Sequence, residues 1–274
     1  MMQPEIKLHK EYFMFCEKLT QITLPSSITS IDDFAFFRCF SLESITFPSS
    51  VTSVGEASFR KCSSLVHITI PSSVVSIGNY AFNECTSLEQ VLFENPSSLT
   101  AIGKYTFNKC SSLKQVSLPS SVTSVNENAF SECSLLKEIT LPSCLTSIGN
   151  SSFSQCSLLE QIAIPISATK IGDFAFEYCS SLNQVTFESP SSLKSIGLMA
   201  FRECISLKSL SIPCSVQSIK NAQFLNCKAL EKITIFSNLE INKTSFKGCN
   251  NIEINKISHK QSKLKSKSRI KYPS

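Results

Sequence analysis

The sequence predicts a repeat solenoid, a stack of short coils of about 23 residues each. Three observations carry that reading. Eleven cysteines (Cys16, Cys39, Cys62, Cys85, Cys110, Cys133, Cys156, Cys179, Cys204, Cys227 and Cys249) follow one another at steps of 23, 23, 23, 25, 23, 23, 23, 25, 23 and 22 residues. A phenylalanine stands three residues before each, from Phe13 to Phe246. A leucine stands three residues after the first ten, and Ile252 takes that place in the last. A fixed period of this length means that each coil contacts only its neighbours and that the stack shares one core.

The coil from Cys39 to Cys62 gives the elements in order. Leu42, Ile45 and Phe47 alternate with Glu43, Ser44 and Thr46, the pattern of a short strand with one dry face. Pro48 ends the strand, because proline has no N–H for a ladder. Ser49 and Ser50 form a turn. Val51 and Val54 return to the core as a second short extended segment. Gly55 is read as the residue of a tight bend. Ser58, Phe59 and Cys62 then fall on one face of a short helical turn, α or 3-10.

The other coils follow this template. One inward column runs Ile22, Ile45, Ile68, Val91, Val116, Ile139, Ile162, Val185, Leu210 and Ile233. A second runs Leu8, Ile31, Val54, Ile77, Ile102, Val125, Ile148, Ile171, Ile196, Ile219 and Ile241. The fold class is thus a solenoid of about 11 coils, each a parallel β-strand plus a short helical or 3-10 turn. It spans residues 1–255, with 1–16 a partial first coil and 250–255 a fading last one, where Asn255 replaces the expected apolar residue. At the start, either residues 1–7 fold over the first coil or the chain is one piece of a longer array.

Two coils carry two extra residues, in FENPSSL (93–99) and FESPSSL (187–193). They lie 94 residues apart, which is four coils, as a duplicated four-coil block would give. These insertions are expected to bulge from one edge of the stack.

Composition narrows the function classes. Hydrophobic residues are 42% of the 274, enough for a continuous core, and charged residues are only 17%. The net charge of +5 comes from one end: residues 256–274 hold seven basic residues and no acid, leaving a net of −2 in 1–255. That basic tail is read as a solvated, disordered end, one that could also attach to acidic lipid or nucleic acid. No apolar run approaches the ~18 residues of a membrane span. Nor does the start hold the apolar stretch of ~7–15 residues that a secretory signal needs. The residues as they stand therefore suggest a cytoplasmic, unanchored chain. Asn150 and Asn242 sit in glycosylation sequons, which matter only on export.

The thirteen cysteines are read as reduced. Ladder cysteines would stand about 4.8 Å apart with parallel side chains, the spacing of strands, which is badly aimed for an S–S bond. Cys144 and Cys214, off the ladder, lie three coils apart. No C-x-x-C pair suggests zinc.

The segment A-F-x-x-C-x-x-L recurs intact at Ala35–Leu42, Ala81–Leu88, Ala129–Leu136, Ala175–Leu182 and Ala200–Leu207. Together with the whole coil, L-x-x-I-x-I-P-x-x-V-x-S-I-G-x-x-A-F-x-x-C-x-x-L, it closely resembles the BspA-like class of leucine-rich repeats, over roughly residues 8–254. The resemblance implies a solenoid of parallel strands. It also implies a role as a surface antigen or adhesin at the cell surface, binding host matrix or other cells.

No catalytic set is visible. His9, His67 and His259 fall in three separate regions, and His67 reads as a surface residue. The acids are scattered about one per coil, and serines lack a partnered base. No cofactor is implied, and the protein is expected not to be an enzyme. The candidate site is the exposed strand face. It holds a hydroxyl column, Thr23, Thr46, Thr69, Ser117, Thr140, Thr186, Ser211 and Thr234, broken by Leu92 and Ala163. Beside it stand Glu43, His67, Glu89, Gln90, Lys114, Gln115, Lys137, Glu138, Glu160, Gln161, Gln184, Lys208, Glu231 and Lys232. Solenoids present such faces as extended platforms. The charges are balanced, so a specific nucleic-acid track is not expected, and aromatic anchors are read as missing from this face. The expected partner is a protein or a glycan.

Overall fold

The computed structural model describes residues 6–8, 13–219, 222–236, 239–250 and 252–257. The chain winds as a solenoid with short parallel strands on two sides. On one side each coil gives a strand, from Gln21–Thr23, Ser44–Thr46, His67–Ile70 and Gln90–Phe93 onward to Lys232–Phe236 and Glu253–Ile257. On the other side the strands are shorter, from Ile28–Ile31 through pairs such as Ser53–Val54 to Glu240–Ile241. Pairing joins equivalent positions of successive coils: Val116 lies beside Ile139, and Val54 beside Ile77. The two columns read from the sequence are therefore columns in space. In the coil after Cys39, Leu42, Ile45, Phe47, Val51 and Val54 are all at most 7% exposed, while Glu43, Ser44 and Thr46 face water.

Between the two sides runs the aromatic spine. From Phe13 to Phe246, successive rings lie 5.0–5.6 Å apart and within 16° of parallel. That spacing exceeds a direct face contact of about 3.5–4 Å, so the rings are offset, as their quadrupoles prefer. The cysteines line the same core. Each ladder thiol from Cys39 to Cys249 donates to the carbonyl of the phenylalanine one coil back, at 2.9–3.2 Å. All thirteen cysteines are free thiols.

The helical turn expected at Ser58, Phe59 and Cys62 is not a helix. Among the described residues the one helix is the 3-10 turn Lys243–Phe246 in the final coil. Elsewhere this segment is a run of tight turns that also forms a ladder. Phe34, Phe36 and Arg38 donate their N–H groups to Glu56, Ser58 and Arg60 of the next coil at 2.7–2.9 Å. Between them, Ala35, Phe37 and Cys39 bond carbonyls three residues back. To alternate in this way the chain places two residues per coil in the left-handed region, such as Phe34 (φ 59) and Arg38 (φ 62). Each costs about 1–2 kcal/mol for a residue with a Cβ. Stacking holds the conformation, and a helix, which keeps its hydrogen bonds to itself, would leave these inter-coil bonds unmade.

Two further expectations are corrected. Gly55 serves close approach rather than a bend, since a Cβ there would stand 2.5 Å from the carbonyl carbon of Asp32 in the preceding coil. In the last coil Asn255 is not the core position. The step to Cys249 is one residue short and the strand after it starts one residue early, so Ile254 pairs with Ile233 and Asn255 with Thr234. The last strand runs on through Lys256 to Ile257, and the basic residues from Lys260 onward lie outside the described residues.

One position before the spine phenylalanine, small residues form another buried column. Ala35, Ala81, Ala129 and Ala175 alternate with Ser58, Thr106 and Ser152. The three hydroxyls are buried with no hydrogen-bond partner among the described residues. A buried donor without a partner costs about 1–3 kcal/mol.

Three outcomes follow for stability. Phe130→Ala should cost about 3–5 kcal/mol in urea unfolding, because a fully buried ring leaves a cavity between two coils. Ser152→Ala should stabilise by about 1 kcal/mol, removing a hydroxyl that bonds nothing; a loss of stability would mean the hydroxyl has a partner. The third concerns pH. Burial pushes the thiols of Cys62, Cys85, Cys110, Cys133, Cys179, Cys204 and Cys227 up, and that of Cys156 up to about 12. Below about pH 8.5, the unfolded thiol value, both states hold the proton and these thiols do not alter stability. Above it only the unfolded chain releases protons, so stability falls as pH rises, by up to about 1.4 kcal/mol per unit and thiol. Urea midpoints at pH 8, 9 and 10 should therefore drop steeply; a flat profile would place the thiols in water.

Candidate functional site

The strand face presents the side chains that alternate with the buried column. Glu43, Thr46, His67, Thr69, Lys114, Gln115, Lys137, Glu138, Thr140, Glu160, Gln161, Gln184, Thr186, Lys208, Glu231 and Lys232 are all exposed, and Glu89 and Gln90 are half-buried. Parallel in-register pairing sets them in rows along the stack. Gln90 stands beside Gln115, Gln115 beside Glu138, and Gln161 beside Gln184. The rows therefore carry amides and hydroxyls with charges beside them. The one ion pair on this face among the described residues joins Lys114 Nζ to Glu89 Oε2 at 2.7 Å. The Lys114 ammonium, which donates to it, holds the Glu89 carboxyl below the usual carboxylate range. Being exposed, the pair fixes the two side chains more than it stabilises the fold.

Part of this face is hollowed. A depression of about 460 Å³ is lined by Gln90, Leu92, Phe93, Asn95, Gln115, Ser117, Pro119, Ser120, Glu138 and Thr140. A second, of about 310 Å³, follows along Glu138, Thr140, Gln161, Ala163, Gln184, Thr186 and Glu188. A third, of about 360 Å³, lies between Asn183, Gln184, Thr186, Phe187, Ser209 and Ser211. Of the residues expected on the binding face, Gln90, Gln115, Glu138, Thr140, Gln161, Gln184 and Thr186 are thus brought together. Glu43, Thr46, His67, Thr69, Glu89, Lys114, Lys137, Glu160, Lys208, Glu231 and Lys232 line none of the three hollows.

Phe93 and Phe187 are the aromatic residues that edge the hollows, and both still pack against the core from the inward side of their strands. Their column is inward in other coils, where Phe47, Ile70 and Ile164 are buried. At the two insertions the chain turns outward directly after the phenylalanine, so each ring is only half-covered and lines a hollow. The signal in the sequence was the two-residue insertion beginning at each of these phenylalanines. Both insertion loops are tied down in the same way. The Glu94 carboxylate accepts the N–H of Ser72 at 3.2 Å, and the Glu188 carboxylate accepts that of Ile166 at 3.3 Å.

Among the described residues no group of three or more His, Cys, Asp or Glu could hold a metal ion. His67 lies on the strand face, and His9 and His259 lie outside the described residues. No helix among the described residues is long and apolar enough to cross a membrane.

Comparison with known proteins agrees with this architecture. The profile of the BspA type leucine-rich repeat region matches six copies, over residues 6–96, 92–190 and 185–268. A leucine-rich repeat protein from Bacteroides ovatus is 26% identical, with 92% of this chain and 87% of that chain covered and a TM-score of 0.51. A leucine-rich cell surface protein from Faecalibacterium prausnitzii is also 26% identical, over 93% of this chain and 87% of that one, with a TM-score of 0.50. The leucine-rich repeat protein of T. pallidum is 29% identical over 69% of this chain and 78% of its own, again with a TM-score of 0.50. No curated protein matches the chain.

Proposed function

The chain belongs to the BspA-type leucine-rich repeat family, and from that premise we propose that it is a non-enzymatic adhesin-type protein whose strand face binds a protein or a glycan at a cell surface. One observation carries the reading: three adjoining hollows run along the exposed rows of Gln, Glu, Ser and Thr on a rigid stack. Such a face recognises by many weak polar contacts held in fixed positions, and pre-organisation lowers the cost of binding. It does not assemble a nucleophile, a base and an orienting group, the minimum for covalent or acid–base chemistry. The cell-surface relative from F. prausnitzii supports the location.

A second reading keeps the fold and moves it indoors, as a scaffold attached to acidic lipid or nucleic acid through the basic residues Lys256 to Lys271. The thirteen free thiols favour it, since reduced cysteine is the rule in reducing compartments. They do so weakly, because nine of the thiols are buried, and burial protects a thiol from oxidation.

Surface biotinylation of intact cells separates the two. The adhesin reading expects the protein to be labelled while a cytosolic marker is not, and an unlabelled protein defeats it. Pull-downs with the full chain and with the chain lacking residues 258–274 should then recover the same partner, because the strand face is intact in both.

A further inference from the structure

Two of the hollows are built on equivalent positions of the two four-coil blocks. Gln90, Leu92, Phe93, Gln115 and Ser117 line the first. The residues 94 positions on, Gln184, Thr186, Phe187, Ser209 and Ser211, line the third. Each hollow adjoins one of the two insertion loops, and the loops are held by equivalent carboxylate bonds from Glu94 and Glu188. They stand four coils apart, about 19 Å at a strand spacing of ~4.8 Å. The middle hollow fills the interval, sharing Glu138 and Thr140 with the first and Gln184 and Thr186 with the third.

We infer that these are two equivalent subsites for one linear, uncharged polysaccharide lying across the strands, along the solenoid axis. The inference rests on the binding reading above and names the ligand class. Successive strands on this face stand too close for an extended peptide to enter between them as another strand, even where no ladder joins Glu138–Thr140 to Gln161–Ile164 or Gln184–Phe187 to Ser209–Ser211. Recognition must come from side chains. Amides and hydroxyls donate and accept alike, which suits the dense, mixed donors and acceptors of sugar hydroxyls. Each subsite is edged by one phenylalanine, half-buried against the core. No lysine or arginine lines any of the three hollows, and Glu138 and Glu188 line the middle one. The hollows themselves therefore offer a polyanion no cation. A protein partner would seek a dry patch of several aromatic or arginine anchors, and one partly covered ring per polar hollow does not supply it.

The row of side chains advances by one coil at a time, close to the advance of one sugar in an extended chain. A polymer engaging both subsites gains affinity without new contacts, because its second binding step is intramolecular. This gives the duplication a consequence that single-site recognition lacks.

The test is affinity electrophoresis of the full chain through gels containing hydroxyethylcellulose, xylan, galactomannan, laminarin or dextran. Ser117→Arg and Ser211→Arg each fill one subsite from an exposed strand position; circular dichroism melting checks that both variants stay folded. At least one of these polymers should retard the wild type. Each single variant should weaken that binding by about tenfold or more, and the double variant should run as in a plain gel. Oligosaccharides of that polymer too short to bridge about 19 Å, four strand spacings, should bind the wild type no more than about twofold tighter than they bind either single variant, a factor set by the count of equal sites. Retardation by none of the five polymers overturns the inference. So does loss of binding from one variant with no effect from the other. A protein partner captured through the same face, with no polysaccharide bound, sinks this inference and leaves the broader binding function standing.

Discussion

The structure depends on one constraint: no coil can cover its own apolar side chains. Each phenylalanine of the spine between Phe13 and Phe246 has a parallel ring from the next coil on each side, at 5.0–5.6 Å. The rings can hold that spacing only if the backbone repeats at the strand distance on both sides of the stack. The parallel strands on two sides, the left-handed residues of the turn segment and the close approach at Gly55 all follow from that repeat. Local preferences yield to it. Among the described residues, nineteen other than glycine sit at positive φ, a strain that only a strongly cooperative stack sustains.

The thiol column shows why cysteine suits the position beside the spine. Each Phe carbonyl, as at Phe36, already accepts the N–H of its own coil's cysteine, and a carbonyl has two lone pairs. The thiol of the next coil takes the second. A small, largely apolar group with one weak donor therefore fills the space and links adjacent coils. Burial that keeps these thiols protonated also keeps them unreactive.

Much of this was legible in the sequence because the period is visible at every level. Spacing alone placed the spine phenylalanines, the cysteines, both inward columns and the polar rows of the strand face. What was not legible depended on neighbours rather than on pattern. Ser58, Phe59 and Cys62 share the spacing of a helical turn, and no glycine marked the left-handed residues that replace it. The last strand's register was hidden because a second missing residue, after Cys249, moves Ile254, not Asn255, into line with Ile233. Phe93 and Phe187 looked fully buried because their column is buried elsewhere, and only the departing chain uncovers them in part. The strand face was legible as a whole, but the hollows beside the two insertions were not.

Function enters where the repeat is broken. The regular coils supply a rigid, even platform, and the two longer coils mark off its hollowed part, from Gln90 to Ser211. All of this stands on the spine being continuous and dry. Alkylation under native conditions, read by mass spectrometry for each cysteine, tests that most directly, with exposed Cys214 as the internal reference. Cys39, Cys62, Cys85, Cys110, Cys133, Cys156, Cys179, Cys204 and Cys227 should stay unmodified until denaturant unfolds the chain. Modification of these thiols in the folded protein at the rate of Cys214 would contradict the account.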